Sequence, residues 1–87
     1  MSTVYIPPLL RSLSGGIDHV EVDGANIRQV IEALESRFPG IRERLCEGDR
    51  LRSGLVVAVD GAVSRLGLIE KISENSEVHF LPATGGG

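Results

Sequence analysis

Few side chains in this 87-residue sequence have the type and spacing to do chemistry. His19 and His79 are its two histidines. No third ligand stands at a workable spacing from them, so a metal site is not expected and both read as half-exposed strand residues. Cys46 is the single cysteine, which excludes an intrachain disulfide and a C-x-x-C redox or metal motif. As a nucleophile it would need a base or a positive helix end beside it. Arg44 and Arg50 are near in sequence but no histidine is, so an inert loop thiol is the expectation. Ser14-Gly15-Gly16 lacks the Lys-Ser/Thr that completes a phosphate loop and reads as a turn.

What remains is the end of the sequence, Pro82-Ala83-Thr84-Gly85-Gly86-Gly87. Glycines without side chains fit a narrow channel and take backbone angles closed to other residues. From Ala83 to Gly87 such a tail reaches roughly 17 Å when extended. A carboxylate at Gly87 is a poor electrophile until ATP converts it to an acyl-adenylate. A sulfur donor can then displace AMP and leave a terminal thiocarboxylate, a nucleophile that can be handed on inside a second enzyme. A frayed terminus has a similar composition. A position directly after a predicted strand and Pro82 favours a working end, with no catalytic residue besides this reactive terminus.

The elements that must position this end follow from periodicity. Thr3 to Ile6 and Asp18 to Val22 alternate apolar and polar residues, as two strands of a hairpin do, with Pro7-Pro8 ending the first. Ile27, Val30, Ile31, Leu34 and Phe38 then fall on one helical stripe. Asn26 is placed to cap that helix with Gln29 three residues on, and Pro39-Gly40 stops it. Ile41 to Gly54 is polar with isolated apolar residues and reads as a connecting loop with at most one short helical turn. Leu55 to Val59 is an apolar strand, Asp60-Gly61 a tight hairpin turn, and Ala62-Val63 the return. Leu66 to Ile72 reads as a short helical turn, and Glu77 to Leu81 as the last strand. One helix over a mixed sheet of four to five strands, with the first and last strands side by side in the centre, is the β-grasp, ubiquitin-like fold of the α+β class. The expected organisation is a single domain over residues 1–82 and a flexible Gly-rich tail over 83–87.

Composition agrees with a soluble domain. Aromatics are 3% with no Trp, so the core must be aliphatic. A formal net charge of -3 and scattered arginines argue against nucleic-acid binding. No apolar run reaches the ~20 residues that span a bilayer, and the start has no signal-peptide pattern, so a cytoplasmic monomer is expected.

Four segments resemble the MoaD/ThiS family of sulfur carriers. They are Ile6-Pro7-Pro8-Leu9-Leu10-Arg11 with Gly15-Gly16, Val30-Ile31 through Phe38-Pro39-Gly40 and Leu45, Val57 to Gly61, and Glu77-Val78 through Leu81-Pro82-Ala83 with Gly86-Gly87. The opening segment is most similar to the cysteine-biosynthesis carriers of the family. Asp60 replaces a frequent Asn, and Gly85 stands where Ala or Ser is common. The resemblance implies that Gly87 carries the reactive carboxylate and that Gly85, Gly86 and Gly87 enter a partner's active site. It implies no stably bound cofactor, because ATP and a sulfur donor are used by a ubiquitin-activating-type adenylating enzyme. The sulfur acceptor would be of the molybdopterin synthase large subunit, thiazole synthase or cysteine synthase type.

The apolar Leu55–Val59 strand needs burial on both sides and one helix covers only one, so the open face of the sheet, with Tyr5, His79, Leu81 and Pro82, is the expected partner-binding surface, the alternative being that the Ile41–Gly54 loop folds over it. Two other readings stay open: a protein modifier joined through Gly87 to lysines of targets, and a β-grasp binding module. The single lysine, Lys71, offers little for self-linked chains.

Overall fold

Alternating residues of the first strand divide the molecule into two faces. In β1 (Ser2–Tyr5) Val4 is buried while Thr3 and Tyr5 are only half-buried. In β2 (His19–Val22) Val20 and Val22 are buried while His19 and Glu21 are exposed. The computed structural model describes residues 1–83. It pairs β1 with β2 antiparallel and with β7 (Glu77–Pro82) in parallel, so the first and last strands adjoin as the pattern predicts. β5 (Leu55–Val59) and β6 (Ala62–Val63) complete a five-stranded sheet of order β2-β1-β7-β5-β6.

Helix α1 (Ile27–Arg37) lays Ile27, Val30, Ile31 and Leu34 on the inner face, all buried. Asn26 caps it by accepting from the Gln29 backbone N–H at 2.9 Å. The Gln29 side chain reaches back to the N–H of Ala25 at 2.8 Å, one residue before the cap. These two bonds satisfy donors that the first turn leaves open. At the other end the Phe38 N–H bonds to the Leu34 carbonyl, and Gly40 takes φ 100, a left-handed value that glycine adopts without strain.

The segment after the helix is more ordered than a connecting loop. Residues Ile41–Leu45 form helix α2, and β3 (Cys46–Glu47) pairs antiparallel with β4 (Arg50–Leu51). Ile41, Leu45 and Cys46 are buried in the main core. The Glu35 carboxylate accepts from the N–H groups of Gly40 and Arg42, which pins α2 to α1. Those two backbone bonds hold its pKa below the ordinary carboxylate value. Isolated apolar residues in a polar stretch gave no period to read, yet each finds the core once α1 is in place. This segment packs with α1, and the opposite sheet face is left bare among the described residues.

The Asp60-Gly61 turn behaves as its residues predict. Both have positive φ, 52 and 86, as a two-residue turn of the primed type requires. Asp60 also accepts from the Glu77 N–H at 2.8 Å and the Ser76 hydroxyl at 3.1 Å, tying the hairpin to the start of β7.

Candidate functional site

The bare sheet face is built from residues that alternate with the core. Register places His19, Tyr5, His79, Ala58 and Val63 in one row across all five strands. The Tyr5 and His79 rings stack with centroids 4.2 Å apart and planes within 5°. His19 lies on the other side of Tyr5 at 5.5 Å, tilted by 33°. Each imidazole is held by a carboxylate: His19 Nδ1 lies 2.6 Å from Asp18, and His79 Nε2 lies 2.9 Å from Glu77. The hydrogen bond with His19 lowers the Asp18 pKa, against a smaller opposite effect of burial. The two histidines, distant in sequence, therefore share one aromatic neighbour. Among the described residues no three His, Cys, Asp or Glu side chains are grouped to hold a metal ion.

Along β7 the row gives way to aliphatic residues. Leu81 faces Val56, and Leu55 faces Pro82. Leu81 is 39% exposed. The Ala83 N–H donates to the Gly54 carbonyl at 2.7 Å, so the strand ladder holds the chain to that residue. Beside this point lies an apolar groove of about 450 Å³, lined by residues that include Pro7, Pro8, Leu9, Leu55, Phe80 and Pro82. Leu9 stands on the short turn Pro8–Leu10 and is 90% exposed. The groove forms because Pro7-Pro8 ends β1 and turns the chain outward next to the end of β7. Of the residues singled out from sequence, Tyr5, His79, Leu81 and Pro82 are accessible on this side or at its end. Gly85, Gly86 and Gly87 lie outside the described residues.

Within the Leu55–Val59 strand Val57 and Ala58 are buried, while Leu55, Val56 and Val59 are half-buried, so this apolar strand keeps an open side as expected. One expectation is corrected. Cys46 is not a loop thiol but a core residue, and burial raises its pKa despite Arg42, Arg28 and Arg52 nearby. A thiol kept protonated there is poorly suited to nucleophilic work.

A face bare of cover beside the end of β7 is suited to meeting another protein. Residues 4–87 match the family model described as the ThiS family. This chain belongs to the ThiS family. Its ThiS-type relatives include the sulfur carrier protein CysO of Mycobacterium tuberculosis, 34% identical over 90 residues that span 98% of this chain and 97% of that protein. Among solved structures, the Amycolatopsis orientalis BexX/CysO complex matches with TM-score 0.91 and 35% identity, over 100% of both chains. Small archaeal modifier protein 1 of Methanosarcina acetivorans superposes with TM-score 0.79 at 21% identity, covering 99% of this chain and 95% of that one, which shows the shared β-grasp fold. The ThiS family assignment agrees with the MoaD/ThiS resemblance of the terminal motif.

Proposed function

We propose that this chain is a non-catalytic sulfur carrier that holds sulfur as a thiocarboxylate on Gly87. The observation that carries the reading is a family match running through residue 87, on a fold whose central strand ends at Pro82. An adenylating enzyme would spend ATP to form the Gly87 acyl-adenylate. Sulfide from a donor then attacks the acyl carbon, the C–O bond to AMP breaks, and the thiocarboxylate remains. Its sulfur is donated within a second enzyme, and similarity to CysO favours an acceptor of the cysteine-biosynthesis type. The docking surface for these partners is the bare face with Tyr5, His79 and Leu81, continued by Pro82 into the apolar groove. The solved BexX/CysO complex supports docking of a CysO-like carrier on another protein.

The role of the protein in this reading is mechanical and electrostatic. The β1–β7 parallel pair at the sheet centre and the Ala83–Gly54 bond hold the chain in the sheet as far as Ala83. From Ala83 the remaining four residues reach about 14 Å, so the enzyme surface around its channel must meet the end of β7. Burial of apolar area at Leu81 and the groove then stabilises a complex that leaves Gly87 free to react.

The test is intact-protein mass spectrometry after incubation with ATP, sulfide and the adenylating enzyme. Exchange of one oxygen for sulfur, located by fragmentation to Gly87 and abolished when Gly86 and Gly87 are deleted, is the expected result. High-mass amide adducts would instead indicate a modifier. An unchanged mass, with the enzyme active on another carrier, would reject the reading.

A further inference from the structure

Of the nine Lys and Arg side chains in this sequence, eight are arginine and one is Lys71. Lys71 is exposed, and its backbone bridges to Asn26, the cap of α1. The Ile27 N–H donates to the Glu70 carbonyl at 3.0 Å and the Ile72 N–H to the Ala25 carbonyl at 3.1 Å, which fixes the lysine at that end of the helix. The Ser73 carbonyl, two residues on, accepts from the Ser2 hydroxyl at 3.0 Å. Lys71 therefore stands at the end of the sheet where β1 and β7 begin. Strand β7 runs away from it, so Ala83 lies about 20 Å from Glu77 along the strand. At that far end the basic groups are guanidiniums. Arg11 Nε donates to the Ile6 carbonyl at 3.2 Å, and the Arg52 carbonyl accepts from the N–H of Leu55, the partner of Pro82. The one thiol, Cys46, is buried.

We propose that this placement keeps the chain's own side-chain amine from an activated Gly87, so that the acyl group passes to sulfide and not into an intramolecular amide. This rests on the proposed carrier function. An amine with a free lone pair attacks an acyl-adenylate as sulfide does. The N–C bond forms, the C–O bond to AMP breaks, and the proton on nitrogen goes to water. The product is a closed loop with no carboxyl end left to load. Residues 84–87 reach about 14 Å from Ala83, short of the start of β7 about 20 Å away. Lys71 and the chain end meet only when both stretch fully toward each other over the fold, and conformers so restricted have little weight. Arginine supplies positive charge at the near end without this side reaction, because a guanidinium stays protonated and offers no lone pair. Hydroxyls attack slowly without a base beside them. His79 is closer, but an acyl-imidazole is reopened by water or sulfide and traps nothing. The position of Lys71 is thus a determinant of specificity for sulfide over amine.

The experiment uses the full chain with Gly87 as the thioester of a small thiol, held in dilute solution at mildly alkaline pH and followed by intact-protein mass spectrometry. An intramolecular amide lacks one water relative to the hydrolysed chain, and fragmentation locates it. Wild type and Lys71→Arg should decay by hydrolysis alone, at the same rate. Ser53 is exposed and adjoins Gly54, whose carbonyl holds Ala83. Ser53→Lys should close to an amide on the new lysine and lose its thioester about tenfold faster than wild type. Ser53→Arg, of the same charge, should decay as wild type does. An amide between Lys71 and Gly87 in wild type, or a Ser53→Lys chain that only hydrolyses, would overturn the proposal. The thioester is made without the activating enzyme. A wild-type chain that gains no sulfur from that enzyme therefore rejects the carrier reading, while thioester decay still decides the reach of Lys71.

Discussion

The two sides of β7 are made by one strand and do different work. Val78 and Phe80 point inward into the core cluster, and they are 0% and 3% exposed. His79 and Leu81 alternate with them and point to the bare face. A pleated strand allows this because successive side chains leave opposite sides. The inner set is constrained by packing density, where a lost methylene leaves a cavity. The outer set has no such constraint, which lets a stacked Tyr5–His79 pair and an exposed leucine stand on the face proposed for docking.

The comparison is most directly broken from the inside. Phe80→Ala should cost about 3–5 kcal/mol by urea denaturation, because its ring is buried in the core cluster. A loss under 1 kcal/mol would mean that the inner face tolerates collapse. On the outside, Leu81→Glu should leave the circular dichroism spectrum and the unfolding midpoint nearly intact while weakening binding to the activating enzyme about tenfold, or ~1.4 kcal/mol. Unchanged affinity would show that the bare face is not the docking surface.

Smaller effects sharpen the comparison by testing what holds the inner layer in place. Asn26→Ala removes the acceptor for the Gln29 N–H and should destabilise the fold by about 1 kcal/mol with no change in sulfur loading. Glu35→Gln probes the tie between α1 and α2. The folded state lowers the Glu35 pKa, so its contribution is present above the unfolded value of about 4.5 and is lost as pH falls through the folded value. The variant should therefore lower the melting temperature at pH 7 and show a smaller further loss than wild type on acidification below about pH 4.5. Parallel acid profiles for the two proteins would remove this role.

Much of this was legible from residue order. Alternation placed the strands, a single apolar stripe placed α1, and Asn26 and Gln29 marked its start. Asp60-Gly61 announced the turn, and the terminal motif pointed to the family. The stretch from Ile41 to Gly54 was not legible, because five residues of helix and a hairpin of two two-residue strands are too short to establish a period, and the core they complete is assembled from other segments. The place of Lys71 was likewise hidden, since its bridge to Asn26 joins segments far apart in the sequence.

Local rules thus determined most of the elements and pointed to the family, because periodicity, capping and turn geometry act within a few residues. Tertiary structure alone decided that His19 and His79 flank one tyrosine, that Cys46 is sealed in the core, and that Lys71 stands at the end of the sheet where β7 begins. Each of these depends on strand register and on which surfaces α1 and α2 cover, and contacts across the sheet leave no mark in the spacing of neighbouring residues.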